Sequence, residues 1–100
     1  MLNTGTVSVH VVEAHTEPWH DAITVFFQDF EPGKGRMVLE CYSQAWATYW
    51  GAMGGQTVRE FVKTAGPDYL VNKLSRPKMT KTEEKYLRRL VEAVKRSLNG

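Results

Sequence analysis

The chain has 100 residues, 42% of them hydrophobic, and this length and composition predict a single domain over residues 1–100 with a modest core. Its only cysteine, Cys41, excludes an intrachain disulfide, and the lack of any run of 18 apolar residues argues against a membrane span. Residues 1–62 carry three basic and seven acidic side chains, whereas residues 63–100 carry ten and four. This asymmetry, which the net charge of +2 conceals, predicts a charged binding face.

The first half of the chain shows the two-residue periodicity of β-strands. Side chains alternate between two faces in residues 6–12, 22–28 and 36–42, which predicts three strands. The polar residues 13–21 predict a loop, and the proline and glycines of residues 29–35 predict a turn. Short connections between consecutive strands favour an antiparallel meander.

Residues 42–54, YSQAWATYWGAMG, are the most distinctive stretch of the sequence. Four large side chains have the i, i+3, i+4, i+7 spacing of one helical face, namely Trp46, Tyr49, Trp50 and Met53. We predict a helix that begins after Ser43 as N-cap and ends near Gly54 and Gly55. This helix either covers the sheet as part of the core or offers aromatic surface to a partner. Its apolar arc is wider than one sheet face requires, which favours a homodimer.

The remaining sequence predicts further helices. Thr57 is placed to cap a helix over residues 58–65, and a short helical turn follows through residues 68–74. Thr80 and Glu83 have the spacing of a capping box, ahead of a long amphipathic helix. The predicted fold class is therefore α+β, in which a three-stranded antiparallel β-meander is followed by three to four α-helices.

The last predicted helix carries a basic face opposite its leucine stripe. Its cations fall within an arc of about 120°. They are Lys81, Lys85, Arg88, Arg89, Lys95 and Arg96. Such a face binds nucleic-acid phosphates or an acidic protein, or it is a solvated surface with helix-stabilising ion pairs. Glu92 lies inside the arc and Glu84 near its edge, and both acids would weaken contact with phosphates.

Patterns for catalysis and metal binding are weak. The loop 13–21 places Trp19 between His15 and His20, and the spacing of these histidines matches no metal motif. Cys41 lies in a strand pattern, which predicts a buried, inert thiol. We therefore predict no catalytic residue, no metal, no cofactor and no enzymatic activity. Trp19 is expected to pack on the core or to contact a partner.

A likeness to a known group of proteins is carried by three segments: AWATYWGAMG, DYLVNKL and KMTKTEEKYLRRLVEAVK. Together with the preceding strands, they make residues 19–96 similar to small accessory proteins encoded in the early regions of lambdoid phages and enterobacterial prophages. The resemblance implies a bacterial cytoplasmic setting, among recombination helpers, host-takeover factors and inhibitors of bacterial defence. It implies no role for any particular residue.

Small size, weak catalytic patterns, polarised charge and the aromatic stretch together predict a non-enzymatic phage or prophage accessory protein. We expect it to bind and modulate a host macromolecule, in the first place a host protein. The side chains predicted to contact this partner are Trp19, Trp46, Tyr49 and Trp50, together with the basic face of the last helix. The alternative is a nucleic-acid-binding module that uses the same basic face. No membrane partner is predicted.

Overall fold

The structure, a computed structural model, describes residues 6–12, 22–42 and 44–99. These residues form an antiparallel sheet followed by helices, which confirms the α+β class and the meander. The strands are β1 Thr6–Val12, β2 Ile23–Glu31, β3 Lys34–Cys41 and β4 Gln44–Trp50. The helices are α1 Val58–Thr64, α2 Pro67–Leu74 and α3 Lys81–Asn99.

The strands lie in the sheet in chain order, β1-β2-β3-β4, and each is antiparallel to its neighbour. The predicted turn between β2 and β3 is confirmed at Pro32 and Gly33. Gly33 has a φ of 85°, a conformation that glycine adopts without steric cost. A Cβ atom at this position would lie 2.1 Å from the carbonyl oxygen of Gly54. Glycine therefore also lets the loop after β4 pack closely on this turn.

The helix predicted between Ser43 and Gly54 is wrong, because most of this stretch forms β4. Cys41 pairs with Gln44, so two residues connect β3 to β4. Tyr42 has a φ of 53°, the left-handed conformation that tight hairpin loops require. Such loops usually contain Asn or Gly, and Tyr-Ser gives no sign of one. The predicted cap Ser43 lies outside the described residues, and the sheet has one strand more than predicted.

Local capping signals start the helices as predicted. At α1, Thr57 Oγ1 accepts a hydrogen bond from the Glu60 N–H at 3.2 Å, and the Glu60 carboxylate accepts from the Thr57 N–H at 2.9 Å. Thr80 and Glu83 make the same two bonds at α3, each at 3.1 Å. Pro67 occupies the first turn of α2, where its missing N–H costs nothing.

The core lies between one face of the sheet and the helices. The sheet contributes buried side chains from every strand, namely Val12, Ile23, Val25, Phe27, Met37, Leu39, Cys41, Trp46 and Trp50. The helices contribute Val58, Val62, Leu70, Val71, Leu74, Leu87, Leu90, Val91, Ala93 and Val94. Cys41 is buried, as its strand pattern predicted. Side chains on the opposite face of the sheet are all exposed or half-buried, so the molecule has two layers and one open sheet face.

Candidate interaction surfaces

The aromatic side chains of β4 divide between the two faces of the sheet, because successive residues of a strand point to opposite sides. Trp46 and Trp50 face the helices and are 1% and 5% exposed, whereas Tyr49 faces outward and is 51% exposed. The prediction that Trp46 and Trp50 contact a partner is therefore corrected, since both belong to the core. Trp19, the fourth aromatic residue of that prediction, lies outside the described residues.

Polar and aromatic contacts hold the two tryptophans inside. Trp50 Nε1 donates a hydrogen bond to the Tyr69 hydroxyl at 2.9 Å. The Trp46 ring lies 5.9 Å from the Tyr86 ring, and the Arg76 guanidinium covers it at 5.2 Å in a cation–π contact. Nε1 of Trp46 meets no acceptor within the described part of the chain, which costs about 1–3 kcal/mol. Trp46 therefore stabilises the fold through ring packing.

Lys95, one of the six predicted cations of the basic face, serves the fold. Its Nζ donates to the carbonyl oxygens of Val62 at 3.2 Å, Lys63 at 3.0 Å and Ala65. These carbonyls lie at the C-terminal end of α1, where the last turn lacks partners within the helix. Burial lowers the pKa of Lys95. The ammonium group thus caps α1 and joins it to α3.

Arg88 is also engaged inside the molecule. Its guanidinium bonds the carboxylate of Asp68 in the first turn of α2, and this bond raises the pKa of Arg88. The other predicted cations are exposed along the outer side of α3, namely Lys81, Lys85, Arg89 and Arg96. We keep the name basic face for these four. Glu92 is half-buried among them and Glu84 is exposed nearby, so the face is mixed in sign with an excess of positive charge.

A cavity of about 420 Å³ opens at the C-terminal end of the basic face. Its lining residues are Pro67, Glu92, Lys95, Arg96 and Asn99. Glu92, Arg96 and Asn99 contribute the polar lining, and the Lys95 ammonium beside them is already bonded to the end of α1. This lining therefore carries both signs of charge.

The open side of the sheet is a second surface, which sequence reasoning did not single out. The strand register places its side chains in three rows across the sheet. The middle row is Val9, Phe26, Val38 and Ala47. The flanking rows are Val7, Gln28, Arg36 and Tyr49 on one side, and Val11, Thr24, Glu40 and Ala45 on the other. We call these residues the outer sheet face, and none of them is buried.

His10 is the histidine that the described residues contain, and its ring contacts two other side chains. His10 lies 2.8 Å from the Ser97 hydroxyl and 3.5 Å from the Arg59 guanidinium, and burial together with the Arg59 charge lowers its pKa. No group of three histidine, cysteine or carboxylate side chains occurs there to hold a metal. His15 and His20 lie outside the described residues, so the absence of a metal and of catalysis remains a prediction.

Comparison with known proteins places the chain in a family. A family described as "Phage family" matches residues 4–99. The chain belongs to this phage protein family. No curated protein and no solved structure matches the chain. Among the described residues of this phage protein, no helix is both long and apolar enough to cross a membrane. The match covers both candidate surfaces, the outer sheet face and the basic face.

Proposed function

We propose that this phage protein is a non-enzymatic accessory protein that binds an acidic surface of a host protein in the bacterial cytoplasm. Its role would be that of a host-takeover factor or an inhibitor of bacterial defence. The observation that carries the proposal is the basic face of α3, which stays exposed while Trp46 and Trp50 are committed to the core. The likeness to accessory proteins of lambdoid phages and enterobacterial prophages supports an enterobacterial host.

The C-terminal part of the chain carries an excess of positive charge, because residues 63–100 hold ten basic and four acidic side chains. Acidic side chains satisfy helix starts or pair with nearby bases, and the side chains concerned are Asp29, Glu31, Glu60, Asp68 and Glu83. Asp29, for example, accepts a hydrogen bond from the N–H of Val58 at 2.7 Å. The excess positive charge of the basic face therefore attracts an external acidic surface.

The mixed sign of the basic face favours a protein over a nucleic acid. A phosphate backbone presents negative charge alone, so Glu84 and Glu92 would oppose its approach. A folded protein can place acids opposite Lys85 and Arg96 and a base opposite Glu92. Arg88 and Lys95, which a phosphate-tracking helix would also use, are engaged with Asp68 and with α1.

Affinity capture from an enterobacterial lysate tests this proposal with two charge-matched variants. Lys81→Gln with Lys85→Gln removes two charges from the basic face, and Lys63→Gln with Lys73→Gln removes two exposed charges from α1 and α2. We expect a host protein that the wild type and the second variant retain and that the first variant binds at least about tenfold more weakly. Failure to recover such a protein, or equal recovery by all three chains, would overturn the proposal.

The nucleic-acid alternative is tested with the same chains. A nucleic-acid-binding module would retard duplex DNA or single-stranded RNA in a gel at low salt, and this binding would fall steeply with added salt. The protein hypothesis expects the captured partner to survive nuclease treatment of the lysate and expects no gel retardation. If the wild type retards nucleic acid and the Lys81→Gln, Lys85→Gln variant does not, then nucleic acid and not a host protein is the ligand of the basic face.

A further inference from the structure

β1 turns its more apolar side away from the core. Val7, Val9 and Val11 face outward and are 56%, 54% and 48% exposed, whereas Ser8, His10 and the buried Val12 face the helices. A strand at the edge of a two-layer fold usually places its apolar residues toward the core and its polar residues toward water. The reversed arrangement indicates that the outer sheet face is itself covered in the working protein.

The three valines extend into a continuous apolar patch. Val9 lies beside Phe26, which is followed by Val38 and Ala47 across the sheet. Tyr49 adds a ring at one corner, 6.2 Å from the ring of Phe30. Contiguous exposed apolar surface of this kind marks a binding site in soluble proteins.

The outer sheet face carries two charges, and these are opposite in sign. Arg36 and Glu40 lie on β3, on either side of Val38. Consider a second copy related to the first by a two-fold axis that runs along the middle row. Under this operation, each flanking row of one copy lies over the opposite flanking row of the other copy. Arg36 then lies opposite Glu40 of the second copy. An axis along the strands would instead place Arg36 opposite Gln28 and leave both charges without a counter-charge.

Side-chain sizes match under the same operation. Tyr49, the largest residue of one flanking row, lies opposite Ala45 of the other row, and the apolar middle row meets itself. We propose that a second copy of this chain covers the outer sheet face, in a two-fold sheet-on-sheet dimer with the axis along Val9, Phe26, Val38 and Ala47. Sheets packed in this way lie about 10 Å apart, a gap that arginine and glutamate side chains bridge.

The dimer is weak and leaves the basic face of α3 free. Four strands about 4.8 Å apart, each presenting about 17 Å of its length, outline about 330 Å² per copy, which is less than the roughly 800 Å² per partner of a standard specific interface. We therefore expect association in the micromolar range. Because the helices lie on the other side of each sheet, the two basic faces point away from each other. The dimer would thus present two separate sites to host partners.

A charge-swap experiment tests the dimer with the full chain. Arg36→Glu brings two carboxylates together across the axis, because the substituted side chain lies opposite Glu40 of the second copy. Glu40→Arg likewise brings two guanidinium groups together. Each variant alone should dissociate at least about tenfold more readily than the wild type in sedimentation equilibrium. In an equimolar mixture of the two variants, a heterodimer places each carboxylate of one chain opposite a guanidinium group of the other. Each homodimer still places like charges opposite each other, so only the heterodimer avoids repulsion. Native mass spectrometry should therefore show a heterodimer that forms more readily than either variant homodimer.

Several results would overturn this proposal. The first is a wild-type chain that stays monomeric at the highest soluble concentration. The second is association that both single variants leave unchanged, and the third is a mixture of the two variants that forms no heterodimer. Val38→Asp provides a second test, since it places two uncompensated charges at the axis and should abolish the dimer. Circular dichroism of each variant checks that the fold is retained. None of these substitutions touches α3, so loss of the dimer and loss of host binding are measured separately.

Discussion

The outer sheet face and the basic face of α3 lie on opposite sides of the molecule and offer different interactions. The first is largely apolar, with Arg36 and Glu40 as its two opposite charges, and the second is charged with a positive excess. Apolar contact withstands salt, whereas attraction between exposed charges is screened within about 10 Å at 0.1 M salt. The proposed dimer and the proposed host contact would therefore use opposite sides of the molecule and respond differently to salt.

β4 and α3 each also have a side that faces the interior of the molecule. Trp46 on β4 and Leu87 on α3 are buried there, and Lys95 closes the end of α1. If the comparison of the two surfaces is correct, substitutions on interior sides lower the free energy of unfolding. Substitutions on outer sides should leave that free energy nearly unchanged and alter association instead.

The largest effect is expected from a comparison of the two opposite faces of β4. Trp46→Ala should lower the free energy of unfolding by about 3–5 kcal/mol, because it removes a fully buried ring from between the sheet and α3. Tyr49→Ala, on the outer sheet face, should lower it by less than about 1 kcal/mol. Urea denaturation at low protein concentration, where the monomer predominates, measures both values. Equal losses for the two variants would contradict the division of β4 between core and surface.

A smaller effect is expected on two lysines of α3. Lys95→Met should lower the free energy of unfolding by about 1–2 kcal/mol, because the carbonyls at the end of α1 lose their donor. Lys85→Met, on the basic face, should change it by less than about 0.5 kcal/mol. In the capture experiment we expect the reverse order, in which Lys85→Met weakens binding of the proposed host partner more than Lys95→Met does. A Lys95→Met protein of wild-type stability would disprove the capping role.

The smallest effect concerns the pH dependence of stability through His10. Burial and the charge of Arg59 lower the pKa of this histidine in the folded state below its ordinary value of 6.5. As the pH falls below 6.5, His10 therefore binds its proton more readily in the unfolded chain than in the folded chain. The free energy of unfolding decreases as the pH falls from 6.5 toward the pKa of the folded state. Thermal melts between about pH 7.5 and pH 5 should show a shallower decrease for His10→Asn. Parallel curves for the two chains would contradict this.

Much of the fold could be predicted because its signals are local. The alternation of residues 6–12, the Pro32-Gly33 turn, the cap at Thr57 and the capping box at Thr80 each depend on a few neighbouring residues. These elements appear in the structure nearly where the sequence predicts them. The basic side of α3 follows from helical periodicity in the same way, and four of its six cations are exposed.

β4 could not be predicted because its pattern fits two structures. Tyr49 and Trp50 follow Trp46 by three and four residues, a spacing that places all three on one face of a helix. In a strand, the same positions place Trp46 and Trp50 on one face and Tyr49 on the other. The strand prevails because Gln44 pairs with Cys41 and the whole segment adds to the edge of β3. This pairing forms through the left-handed Tyr42, for which the sequence contains no turn signal.

The class of the fold, the turn at Gly33, the starts of the helices and the line of cations on α3 could thus be predicted from the amino-acid sequence. The packed fold was needed to show that Trp46 and Trp50 are core, that Lys95 and Arg88 are engaged internally, and that the valines of β1 face outward. The two groups of features differ in how far along the chain the interacting residues lie. Caps and periodicity are set by residues within a few positions, whereas the covered face of a strand depends on elements far away in the chain.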